Sequence, residues 1–74
     1  MAYDETYFAR VLKSKRALKG WDQDTLATES GVSKNSIARY ETSDTTPGFD
    51  ATCKLAEALD CSTDDFWKRE TPAA

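Results

Sequence analysis

No histidine occurs in the 74-residue chain, which removes the commonest general base and the commonest metal ligand. Cysteine occurs only twice, at Cys53 and Cys61. A helix running through both would hold them roughly 12 Å apart, too far for a disulfide. They read as reduced thiols acting as small apolar residues in a reducing compartment. Nothing basic is obviously placed to lower either thiol pKa, so a redox switch is disfavoured. No apolar run approaches the ~20 residues needed to span a bilayer, and no basic start leads into an apolar run as in a signal peptide. The expected location is therefore cytoplasmic, away from membranes. No nucleophile–base constellation is present, and the chain is too small for a deep pocket. Neither an enzyme nor a cofactor is expected. Asp60, Asp64 and Asp65 lack calcium-loop spacing and a terminal glutamate, so they read as helix caps, not a metal site.

What is present describes one small domain with one core. Hydrophobic residues make up 39% and charged residues 31%, an ordinary mixture for a folded chain. The net charge of −3 argues against a generic nucleic-acid coat, which would be basic overall. Its distribution says more. Residues 1 to 40 hold seven Lys/Arg against five Asp/Glu, whereas residues 41 to 74 hold three against eight. Between Arg10 and Lys19 there are five bases and no acid. A local basic surface can coexist with an acidic molecule, and the local field governs encounter with a polyanion. Such a run is ordinarily a solvated face; approach to a phosphate backbone is the sharper reading.

The hydrophobic pattern predicts five helices. Phe8, Val11, Leu12 and Leu18 form a stripe along a first helix from about Asp4 to Lys19, interrupted at Lys15. Asp4 and Glu5 favour its N-terminus, Lys15, Arg16 and Lys19 its C-terminus, and Gly20 ends it. Asp22 caps a second helix that buries Leu26 and Ala27 and ends by Gly31. Trp21, at its apolar start, is expected to pack on the core. After Glu41, the run Thr42 to Gly48 is a loop by composition. A fourth helix follows from about Asp50 to Leu59, with Phe49, Cys53, Leu55, Ala56 and Leu59 as apolar candidates. Asp60 ends it where glycine would be easier. Ser62 or Thr63 then caps a short fifth helix containing Phe66 and Trp67. Those two aromatics either complete the core or form a contact between copies. Lys68 to Ala74 reads as a frayed end.

The third helix, Lys34 to Glu41, is the segment the others are built to hold. Ser33 caps it. Lys34, Asn35 and Arg39 fall on its outer face, with Ile37 and Tyr40 on the other side. An ordinary surface helix would also be polar outside. The context decides: two short helices joined by Gly31-Val32-Ser33, with an apolar corner at Val32, form a helix-turn-helix pattern. Lysine, an amide and arginine on one stripe can reach base edges and phosphates. Lys34 can donate to guanine acceptors or a phosphate, Asn35 has the paired donor and acceptor that match adenine, and Arg39 can fork onto guanine.

From about Arg10 to Trp67 the chain resembles the helix-turn-helix repressors of the lambdoid phage repressor and Cro type. The resemblance rests on Lys13-Ser14-Lys15-Arg16, Gln23-Asp24-Thr25-Leu26-Ala27, Gly31-Val32-Ser33, Ile37, Tyr40-Glu41, Pro47, the Leu55-Ala56-Glu57-Ala58-Leu59 block and Asp65-Phe66-Trp67. It implies an all-α, compact five-helix bundle of the lambda-repressor-like type, with a DNA-binding domain over residues 1–70 and a disordered tail over 71–74. It implies that Lys34, Asn35 and Arg39 point into the major groove. Gln23, Ser33, Ser36 and Thr42 match positions that meet DNA phosphate. Arg16 and Glu41 match an ion pair tying the first helix to the recognition helix. One such module buries little surface, so a homodimer on a palindromic site of double-stranded DNA is implied, acting as a transcriptional repressor.

The pattern departs from the family in the loop after the third helix. That loop usually carries glycine and several Lys/Arg, whereas here Ser43 and Asp44 stand there and no base follows until Lys54. The chain also ends soon after the fifth helix, so no switch domain is expected. The unbasic loop and the acidic second half support an alternative: a helix-turn-helix module that works mainly by binding a protein partner, as an antitoxin or regulatory partner would, with weak DNA binding.

Overall fold

The computed structural model describes residues 5–66. Four α-helices follow one another: α1 (Glu5–Leu18), α2 (Gln23–Ser30), α3 (Lys34–Glu41) and α4 (Phe49–Ala58). A single 3-10 turn, Thr63–Phe66, stands where a fifth helix was expected. The Ser62 hydroxyl accepts from the Asp64 N–H, and the Asp65 carboxylate accepts from the Ser62 N–H, both at 3.1 Å. This reciprocal cap is the kind that opens a helix. Within the described residues, however, the segment forms a four-residue 3-10 helix, with the Asp65 N–H on the Ser62 carbonyl at its start. Its product is the placement of Phe66, which is fully buried and stacked on Phe8 with ring centroids 4.8 Å apart. Phe66 therefore belongs to the core and not to a contact between copies. Trp67, the Lys68-to-Ala74 end, and with it the 70/71 boundary, lie outside the described residues, as do Tyr3 and Asp4.

The core joins Phe8 and Leu12 of α1, Leu26 of α2, Val32 of the turn and Ile37 of α3 to Leu55, Ala56 and Leu59 of the α4 region and to Phe66. Three expected core residues are outside it: Leu18, Phe49 and the half-buried Cys53. Leu18 is 83% exposed. At 3.6 residues per turn it sits roughly 100° round the helix from the Phe8–Leu12 direction, so its spacing from Val11 misled. Phe49 is 80% exposed. It is the first residue of α4, which packs on α2 and the 3-10 turn through its later turns. Val11, Trp21, Ala27, Tyr40 and Cys61 lie half-buried against the cluster.

The corner between α2 and α3 follows from backbone chemistry. Gly31 takes φ +79°, and its N–H closes on the Ala27 carbonyl. An L side chain there would strain the backbone, although a Cβ would meet no atom within 4 Å. Ser30 Oγ accepts from the Val32 N–H at 3.1 Å, and Val32 drops into the core. The next residue, Ser33, caps α3. Asp60 ends α4 with φ +58° where glycine would be unstrained. The two cysteines are free.

Candidate nucleic-acid interface

The outer face of α3 presents Lys34, Asn35 and Arg39 to solvent, while Ile37 is fully buried beneath them and Tyr40 is half-buried, edge-on to Phe8. The helix starts firmly. Ser33 Oγ accepts from the Ser36 N–H at 3.1 Å and donates to Ser36 Oγ at 2.9 Å. Engaged this way, the Ser36 hydroxyl keeps its own proton for another acceptor. Thr42, the C-cap, donates its hydroxyl to the Arg39 carbonyl at 3.1 Å.

Behind α3 lies a buried polar cluster. Glu41, only 6% exposed, accepts from Arg16 Nε at 2.7 Å and from Arg16 Nη2 at 3.1 Å. It also accepts from Gln23 Nε2 at 3.0 Å. The bidentate pair joins α1 to α3, and Gln23, the first residue of α2, adds the third helix. Arg16 Nη1 further donates to the Trp21 carbonyl at 2.9 Å, fixing the chain between α1 and α2. The bond to Glu41 is the main cause that raises the Arg16 pKa above its ordinary value. A carboxylate so enclosed needs its donors, because an unmatched buried charge is costly. Gln23 thus braces Glu41 with one amide proton, which leaves it a second proton and a carbonyl oxygen. Its helix is set by Asp22, whose carboxylate accepts from the Thr25 N–H at 2.8 Å; that bond is the largest influence lowering the Asp22 pKa.

Two features of this face were not foreseen. Lys34 Nζ lies 3.4 Å from both carboxylate oxygens of Asp24 on α2, and Arg39 Nε donates to Asp44 Oδ2 at 2.9 Å. Each pair is solvent-exposed on both sides. The sequence held a signal for the second, since Asp44 stands where basic residues were expected. It held none for the first, whose members are ten residues apart on different helices. Two lysines of the Arg10-to-Lys19 run are also matched within the molecule: Lys15 faces Asp65 at 3.9 Å and Lys19 faces Asp60 at 3.6 Å. Lys19 Nζ also stands over the Trp21 ring, 5.1 Å from its centroid. Among the described residues no His, Cys, Asp and Glu converge as metal ligands, and no helix is long and apolar enough to cross a membrane. Burial pushes the Cys61 thiol pKa up, which lowers its reactivity at neutral pH.

A short helix, a glycine-cornered turn and a second helix with a polar outer face over an apolar inner one define a helix-turn-helix domain. Residues 12–66 match the helix-turn-helix family model, and the chain belongs to that family, of the Cro/C1 type. It is thus a DNA-binding regulator of transcription. Among solved structures it is similar to the restriction-modification controller protein C.AhdI from Aeromonas hydrophila, with 30% sequence identity and a TM-score of 0.80. That match covers 85% of this chain and 96% of the other. The comparison with curated proteins finds no match.

Proposed function

We propose that the protein is a sequence-specific repressor that reads the major groove with α3 as a homodimer on a palindromic operator, in a controller role like that named for C.AhdI. The observation that carries this reading is the joint exposure of Lys34, Asn35 and Arg39 on one helix that is braced from behind by the Arg16–Glu41–Gln23 cluster. Rigid support matters because a base-reading side chain must arrive in register to be selective. Lys34, Asn35 and Arg39 would contact bases. Gln23, Ser33, Ser36 and Thr42 would hold phosphates, helped by the amides at the starts of α2 and α3. The experiment is selection of duplexes from a randomised pool, followed by affinity for the selected site and for random DNA as salt is varied. A palindromic consensus with a steep salt dependence supports the reading. Within it, Asn35→Ala should cost about 1–3 kcal/mol of discrimination at a single base position, and Gln23→Ala should weaken all sequences alike. Identical behaviour of the two variants would refute this division of roles.

A second reading, a module acting chiefly through a protein partner, is favoured by the carboxylates that already face Lys34 and Arg39. It predicts weak DNA binding without sequence preference.

A further inference from the structure

We propose that Asp44 is a positioning residue for Arg39, one that raises base discrimination while lowering affinity for DNA in general. The inference rests on the DNA-reading function proposed above and concerns how Arg39 is aimed. The end of α3 is closed by two backbone bonds, Ser43 N–H to the Tyr40 carbonyl at 3.2 Å and Asp44 N–H to the Arg39 carbonyl at 2.9 Å. With Ser43 at φ +63°, this is the Schellman arrangement, which turns the chain back over the last helical turn. Asp44 is thereby fixed by its own amide to the residue whose side chain it meets. Its carboxylate returns to Arg39 Nε at 2.9 Å, so one residue holds both the backbone and the side chain of Arg39.

The atom chosen is informative. A guanidinium has five N–H donors, one on Nε and four on the two terminal nitrogens. A carboxylate bonded at Nε occupies the flank of the group. That leaves the terminal edge, which forks onto the acceptors of guanine, to meet a base. Arg39 has several rotatable bonds, and fixing it in advance reduces the ordering cost of a base contact. The same carboxylate adds negative charge beside DNA phosphates and so disfavours every duplex equally. Lys34 has no comparable arrangement. Asp24 approaches it with both oxygens at 3.4 Å, and an ammonium has no preferred edge to aim.

The test compares the wild-type protein with Asp44→Asn, Asp44→Glu and Arg39→Ala. Glu57→Gln supplies the same charge change on α4. The probes are a duplex selected by the wild type from a randomised pool, every single-base variant of it, and a random duplex. Asn keeps the backbone bonds of Asp44, and the exposed pair adds little to folding, so the thermal midpoint should hold. Asp44→Asn should bind random duplex about threefold more tightly, by loss of one repelling charge per protomer. It should lose about three- to tenfold discrimination at one base position per half-site, part of what a forked contact provides. Arg39→Ala should lose discrimination at that same position, and the double variant should lose no more. Asp44→Glu should restore part of the discrimination. An equal gain on every duplex, a loss at a position that Arg39→Ala leaves unaffected, or behaviour matching Glu57→Gln would overturn the proposal. Failure of the wild type to select any consensus would instead remove the DNA-reading function, and this inference with it.

Discussion

At the scale of single residues, Glu41 carries the most consequence for the least exposure. It is enclosed by Arg16 and Gln23 and is the one buried carboxylate among the described residues. Removing it strands the Arg16 guanidinium, whose side chain is 18% exposed, with the Trp21 carbonyl as its remaining acceptor. Breaking a buried pair from one side costs about 3–5 kcal/mol, and the partial access of water to Arg16 places Glu41→Ala at about 3 kcal/mol. Urea unfolding measures this. A loss under about 1 kcal/mol would mean that water replaces the carboxylate freely. Replacement of both partners by apolar residues should cost less than removal of Glu41 alone, because no charge is then stranded. Asp22 tests a different property, its pH response. Its carboxyl is held below the ordinary 3.8 chiefly by the Thr25 N–H. A depressed carboxyl contributes stability above its unfolded value, and that contribution disappears as the pH falls through the folded one. In an NMR titration, the Thr25 amide should therefore shift with a midpoint below 3.8, and Asp22→Asn should abolish that step while keeping a capping oxygen.

Helices and turns were legible to different degrees. The four α-helices lie close to where hydrophobic spacing and caps place them, because each has an unambiguous start (Asp22, Ser33) or a positive-φ stop (Gly20, Gly31, Asp60). The 3-10 turn was read as a helix because a good capping box looks the same in sequence whether four residues follow it or ten. Leu18 and Phe49 failed for different reasons: Leu18 shares a spacing with Val11 but lies about 100° off the Phe8–Leu12 face, and Phe49 precedes the turns of α4 that meet a neighbour. On the candidate interface, the outward residues of α3 could be assigned from helical angle alone, whereas Asp24 and Asp44 could not. Their carboxylates reach the face through the α2–α3 angle and the turn after α3, both properties of packing. That turn permits a prediction of its own. Ser43 holds φ +63°, a conformation that disfavours any side chain. Ser43→Gly should raise stability by about 1 kcal/mol, less any entropy gained by the unfolded chain. Chemical denaturation reads the change. A loss would show that the Ser43 side chain has a compensating partner.

For the whole molecule, the division between a basic first half and an acidic second half is in large part internal bookkeeping of charge: Lys15 with Asp65, Lys19 with Asp60, Arg16 with Glu41, Arg39 with Asp44. The salt dependence of DNA binding should show it. Binding that neutralises Z phosphates releases counterions with a log–log slope near −0.9Z. A lysine that arrives with its own carboxylate neutralises little net charge, so the slope should be shallower than the number of phosphate contacts alone would give. Lys34 and Asp24 provide the clean case, since Asp24 is exposed and its carboxylate holds no other described side chain, its carbonyl alone accepting from the Thr28 hydroxyl. Asp24→Asn should steepen the slope by about 0.9 per protomer on selected and random duplexes alike. That uniformity separates it from Asp44→Asn, whose effect on discrimination is expected at one base. A slope unchanged by Asp24→Asn would show that Lys34 neutralises no phosphate, leaving a base edge as its contact.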